Sequence, residues 1–171
     1  MLGARTIAEE SFLRLDRATI ATPDGHAVSR LVVSHPGAVA VVPVLNDDVF
    51  LFEQHRAPIG RHLLEVPAGK LDVPGEDRRA AARRELEEEI GFTTGRLVHL
   101  TDLFTTPGFS DEVITIYLAT HLEQVASQPV GAEEEHATIV RLPLSEAVAR
   151  VHTGEINDAK TVVGLLLAAG R

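Results

Sequence analysis

The 171-residue chain is 44% hydrophobic and 24% charged, enough apolar content for one globular domain with a buried core. A net charge of −9 argues against a nucleic-acid polyanion as the main partner, and the absence of cysteine excludes a disulfide framework, thiolate metal ligands and a cysteine nucleophile. The run MLGARTIAEESF has acids where a signal peptide needs an apolar core, and VVGLLLAAG is too short to cross a bilayer, so a soluble, cytoplasmic protein with no membrane partner is expected.

In chain order, the first third predicts strands at ATIA (18–21), HAVSRLVV (26–33), AVAVVPVL (38–45) and VFLFEQ (49–54), separated by the turns TPDG, SHPG and NDD. LLEV (63–66) predicts a further short strand, and PAGKLDVPGED after it reads as a turn-rich loop. The stretch from Asp77 to Ile90 is rich in alanine, leucine, arginine and glutamate and stops at Gly91, so it predicts a helix with a left-handed cap. Strands recur at LVHLTDL, VITIYLATH and ATIVRL, and helices are expected from Ser145 and from about Asp158, both suited to an N-cap. No linker divides the chain, but the break at His35, Pro36 and Gly37 separates an N-terminal β subdomain, residues 1–36, from a main domain, residues 37–171.

Within the helix, RRELEEEIG places Glu85, Glu88 and Glu89 within one third of the circumference at roughly 100° per residue. Like charges at this spacing cost roughly 0.2 to 0.5 kcal/mol per pair, so something should offset them. A solvated face is the bland explanation, but such faces pair Glu with Lys or Arg four residues on, and here Glu85 is followed by Glu89. A hard divalent cation, Mg²⁺ or Mn²⁺, suits several converging oxygens and in turn binds phosphate. Ala81 and Ala82 beside the acidic face are expected to let it lie close to an adjoining loop.

Other chemistries find less support. The eight histidines are scattered, with none paired at ligand spacing for zinc, and GFSDE lacks the final glycine of a serine-hydrolase elbow.

Gly69, Glu76, Arg84, Glu85, Leu86, Glu88, Glu89, Gly91 and Phe92 resemble the box of the Nudix hydrolases, with six residues rather than five between Gly69 and Glu76. The extra residue falls in the loop ahead of the helix, so the spacing within the helix is intact, and Phe92 replaces an aliphatic residue. The resemblance implies an α/β/α sandwich around a mixed sheet, with the N-terminal antiparallel β subdomain outside the Nudix domain, and hydrolysis of a nucleoside diphosphate linked to another group. It also implies that Glu85 and Glu89 are the main metal ligands, with Glu88 and the Ala68 carbonyl as further ligands, for Mg²⁺ or Mn²⁺ and two or more ions. Arg84 and Glu76 would orient helix and loop through an ion pair.

Outside the box, HRAPIGRHLLEVPAGKLD, TTPGFSDE and GEINDAKTVVGLLLA resemble the ADP-ribose pyrophosphatase branch, as does Pro107, fifteen residues after Phe92. That branch implies ADP-ribose as a small-molecule substrate and Arg56 as a phosphate ligand; Arg30 is a weaker candidate for substrate contact, reaching a partner subunit's site, and Glu112 is a candidate for a ribose hydroxyl. Its acidic loop supplies a general base, which falls on GAEEEH; counting back from Arg141, Leu142 and Pro143 favours Glu134, with Glu133 and Glu135 beside it. The N-terminal strands resemble a dimerisation segment, implying a homodimer. Other nucleoside diphosphate derivatives as substrates, or a noncatalytic nucleotide sensor on the same fold, remain as alternatives.

Overall fold

The computed structural model describes residues 2–125 and 138–171, which form two sheets and three helices. Strands β1 (Gly3–Glu10), β2 (Leu13–Ala21) and β3 (Ala27–Ser34) make an antiparallel three-stranded sheet in that order. The second sheet is mixed and has seven strands: β4 (Ala38–Leu45), β5 (Asp48–Arg56), β6 (Arg61–Glu65), β7 (Ala68–Lys70), β8 (Phe92–Phe104), β9 (Val113–Gln124) and β10 (Thr138–Pro143). Its main path runs β10-β5-β4-β9-β8; β6 joins the far half of β5 and β7 the near half of β4. Among the described strand pairs only β4–β9 is parallel.

β4 is apolar at every position because it is covered on both faces. Alternation sends Ala38, Ala40 and Val42 to one side, with Ile114, Ile116, Ala147 of α2 (Leu144–Thr153) and Leu165 of α3 (Ala159–Ala169). Val39 and Val41 pack on the other side, against Ala81, Ala82 and Leu86 of α1 (Arg78–Ile90). The result is α1, sheet, then α2 with α3. α3 lies so close to the sheet that a Cβ on Gly164 would fall 2.8 Å from Val42 Cγ2.

Helix α1 begins where the sequence predicts, with the Asp77 side chain accepting from the Arg79 and Ala80 amides at 2.8 and 2.9 Å. It ends at Gly91 with φ 69°, whose amide reaches the Glu87 carbonyl at 3.1 Å. Asp158 likewise caps α3, accepting from the Thr161 amide at 3.0 Å.

Four expectations need correction. β1 lies ahead of the first predicted strand; it is exposed throughout, so no burial imposes an apolar alternation on it. β2 begins at Leu13, ahead of ATIA. β7 forms inside the expected loop because Gly69 pairs with Val39 of a distant strand. α2 starts at Leu144 rather than Ser145, because β10 runs straight into it and the Leu144 amide is held by the Asp47 carbonyl at 2.9 Å.

The two sheets meet where the site forms. The Val33 amide donates to the Phe109 carbonyl at 2.7 Å and the His35 amide to Asp111 Oδ1 at 2.8 Å, which places the end of the small sheet beside the β8–β9 connection.

Candidate active site

An open cavity of about 700 Å³ collects residues from the mixed sheet, from α1 and α3, and from the edge of the small sheet, where Phe12 lies between β1 and β2 and His35 follows β3. Glu85, Glu88 and Glu89 line it, as do Ala68 and Gly69 of β7. Glu85 is buried and presses on β7: a Cβ on Gly69 would sit 1.9 Å from its carboxyl carbon, so only glycine leaves room. Ala81 and Ala82 play no part in that approach. They are fully buried on the sheet side of α1, which corrects the expectation that they face the loop. Glu89 Oε2 accepts from the Ala68 amide at 2.9 Å, tying the helix to β7 a second time.

Arg84 explains much of how the carboxylates tolerate one another. Its Nε and Nη2 each donate to Glu76 at 3.1 Å, a two-pronged pairing, and its Nη1 donates to Glu85 at 2.6 Å and to Glu88 at 3.0 Å. The Glu76 bonds and the neighbouring carboxylates hold the guanidinium protonated well above its ordinary range. The Glu76 pairing forms although Glu76 sits one residue further from Gly69 than the resemblance predicts.

The cavity also carries cations. Arg56, at the end of β5, donates through Nε and Nη2 to Glu65 at 2.7 Å each. Lys160 of α3 donates to Oε2 of the same carboxylate, the oxygen that Arg56 Nη2 also reaches, and to Asp158 at 3.0 Å. Burial pushes the Glu65 carboxyl up, but the hydrogen bonds and charges of Arg56 and Lys160 outweigh it and leave the group below the ordinary glutamate range.

Near the small sheet, Glu112 lines the cavity, accepting from Thr105 Oγ1 at 2.5 Å with His35 Nε2 3.5 Å away. Phe12 joins this wall, its ring meeting His35 edge-on at 5.2 Å with the Lys70 ammonium 4.3 Å from its centroid.

The structure therefore brings Ala68, Arg84, Glu85, Glu88, Glu89, Arg56 and Glu112 to one cavity, with Glu76 held beside them by Arg84. Arg30 is apart, exposed on β3 with its Nη1 donating to the Ser29 carbonyl. Glu133, Glu134 and Glu135 lie outside the described residues. Sequence reasoning passed over Glu65, Lys160, Gln54, Phe12 and His35. Two had a signal: Glu65 interrupts the apolar run LLEV, and Lys160 is the single charge in the apolar helix AKTVVGLLLAA. His55 and His62, far apart as sequence neighbours go, face each other across β5 and β6 with ring centroids 5.3 Å apart.

The donor set is all oxygen, carboxylates with a main-chain carbonyl, and fits a hard divalent cation; the glycine cradle at Gly69 lets the carbonyl strand and Glu85 share one spot. Among the described residues no three His, Asp or Glu side chains are grouped as a metal cluster as they stand, and Arg84 engages Glu85 and Glu88.

The NUDIX domain profile matches residues 34–163. Similar relatives include an ADP-ribose pyrophosphatase of Bacillus subtilis, 36% identical over 96% of this chain and 91% of the relative. An ADP-ribose pyrophosphatase of Mycobacterium tuberculosis is 40% identical over 96% of this chain and 80% of its own length. The Bacillus methanolicus methanol dehydrogenase activator is 37% identical over 90% and 83%. A solved structure described as an ADP compounds hydrolase superposes with a TM-score of 0.82 over 99% of this chain and 91% of its own, at 26% identity. An acidic helix cradled by a glycine strand, matched by profile, relatives and fold alike, places this chain in the Nudix family.

Proposed function

We propose that this protein hydrolyses the pyrophosphate of ADP-ribose to AMP and ribose 5-phosphate, with Mg²⁺ or Mn²⁺, in two or more ions, as cofactor. The observation that carries the reading is the single cavity shared by the α1 carboxylates and Arg56: one group suits a cation, the other a phosphate. The printed names of the relatives and of the structural neighbour support the choice of an ADP compound as substrate.

In this reading Glu85 and Glu89 are the main metal ligands, with Glu88 and the Ala68 carbonyl beside them. Bound divalent ions supply charge neutralisation of the pyrophosphate and a more acidic water. Glu76 holds Arg84, and Arg84 restrains Glu85 and Glu88, so these carboxylates are held along one side of the cavity. A bound cation would compete with the guanidinium for Glu85 and Glu88. Arg56 donates to a phosphate oxygen, and Glu112 accepts from a ribose hydroxyl. Glu134, or Glu133 or Glu135 next to it, takes the proton of the attacking water as the water oxygen bonds to phosphorus and the bridging P–O bond breaks. No covalent enzyme intermediate is required.

We further propose a homodimer through the small sheet, to which Arg30 belongs, with residues 1–36 as its element. By alternation and register Leu13, Leu15, Leu31 and Val33 share one face of that sheet, an apolar strip that a second copy would cover. A cytoplasmic location fits the lack of cysteine, and no helix of the described residues is long and apolar enough to cross a membrane. The net charge of −9 disfavours nucleic acid.

The test is chromatography of products after incubation with ADP-ribose, with and without Mg²⁺, beside GDP-mannose and a dinucleoside polyphosphate. Metal-dependent AMP and ribose 5-phosphate, strongest from ADP-ribose, is the expected result. Turnover of another compound alone would replace the substrate, and no turnover at all would favour a sensor.

A further inference from the structure

We propose that His55 and His62 form a second metal site, on the face of the mixed sheet away from the acidic cavity, for an imidazole-preferring divalent cation such as zinc. The site stands on strand register and holds whichever nucleotide is the substrate.

His55 of β5 and His62 of β6 are direct cross-strand partners, with ring centroids 5.3 Å apart and ring planes inclined at 63°. The hairpin turn fixes that register. Pro58 lies in the short 3-10 turn Ala57–Ile59, and Gly60 follows it in the left-handed region at φ 64°, its amide donating to the Arg56 carbonyl at 2.9 Å. Two imidazoles bound to one zinc at about 2.0–2.1 Å per nitrogen have ring centres roughly 5 Å apart, so the observed separation suits a shared ion. Turning the rings in place is enough to aim a nitrogen of each at one point.

Both residues are exposed, and among the described residues neither imidazole makes a hydrogen bond or an ion pair. Their nitrogens are open to a ligand. Ring packing alone is a weak reason for the pair, because a cross-strand aromatic contact contributes roughly 0.2 to 1 kcal/mol and two protonated imidazoles placed opposite each other would repel.

Alternation along β5 sends Gln54 and Arg56 into the cavity and His55 to the other face, where Leu51 and Leu64 join the core beneath α2 and α3. The two faces therefore suit different cations. Carboxylates in the cavity favour hard Mg²⁺ or Mn²⁺, whereas an imidazole pair favours zinc, nickel or copper. No third His, Asp or Glu among the described residues completes a cluster, so water fills the remaining positions around the ion. A cation held by both rings links β5 to β6 beside Arg56 and tightens the end of the hairpin.

The experiment titrates Zn²⁺ by calorimetry into wild type, His55→Phe, His62→Phe and the double variant, with Mg²⁺ in large excess to occupy the carboxylates. His152→Ala, at another exposed histidine, is the control. Wild type should bind one zinc at this site and melt at a higher temperature with it. Either single substitution should weaken binding at least about 10-fold, since loss of even an outer-shell partner costs that much, and should abolish the thermal shift. The double variant should lose little more, because one ion needs both rings. His152→Ala should behave as wild type. Wild-type zinc affinity in either single variant would overturn the proposal, and so would losses that simply add, which mark two independent surface histidines.

Proton–nitrogen NMR spectra of the wild-type imidazoles give a readout that needs no variant. Two rings that share a cross-relaxation peak should shift together at one equivalent of Zn²⁺, and Mg²⁺ alone should leave them in place. Zinc that moves neither ring, or moves histidines one at a time, rejects the site.

Discussion

Gly69 sets how near β7 comes to the acidic helix, and through that the distance between the Ala68 carbonyl and Glu85. A methyl group there would meet the Glu85 carboxyl at 1.9 Å, closer than any real contact, so Glu85 or the strand must move. Gly69→Ala should cost roughly 1 to 3 kcal/mol by overpacking. The larger effect should be on turnover, because misplacing a catalytic group by about 1 Å costs on the order of 100-fold. Steady-state kinetics beside a thermal melt would show it, and an alanine variant with unchanged kcat would refute the role of the close approach. At this scale the box residues were legible because their helical spacing alone puts Glu85, Glu88 and Glu89 on one face. The pairing of Glu65 with Lys160 was not: they are 95 positions apart, and it depends on where α3 lands.

The same close packing recurs between elements. α3 lies on β4 with Gly164 over Val42, leaving no space for a side chain. Gly164→Ala removes a helix-weakening glycine, worth about 1 kcal/mol in its favour, but the 2.8 Å contact with Val42 should override that. A net loss of stability in urea unfolding is expected, and a higher midpoint would show that α3 can slide outward freely. Because α3 carries Lys160 in the cavity wall, KM for ADP-ribose should rise with it. Which elements were readable follows from where their stop signals lie. α1 was readable from Asp77 to Gly91, since both caps are local, whereas β7 was hidden because its reason to exist is Val39 on another strand.

For the molecule as a whole, the small sheet is the part with least core of its own, since β1 is exposed along its full length and Ala18 is its one fully buried apolar side chain. Size-exclusion chromatography with light scattering should find a dimer at micromolar concentration. Leu31→Asp, which sets a charge in the apolar strip, should shift it toward monomer. Wild type running as a monomer would remove the dimer, and with it the reason to assign Arg30 to a partner's site.

The sequence by itself determined the helix, its caps, the family box and the acidic chemistry, because these depend on residues within a few turns of one another. The tertiary structure alone decided that Gly69 is the cradle rather than Ala81 and Ala82, and that Arg84 gathers Glu76, Glu85 and Glu88. It also decided that Glu65 stands behind two cations facing the same cavity as those carboxylates. Such contacts arise when sheet pairing and helix packing bring distant segments together, and no local spacing encodes them.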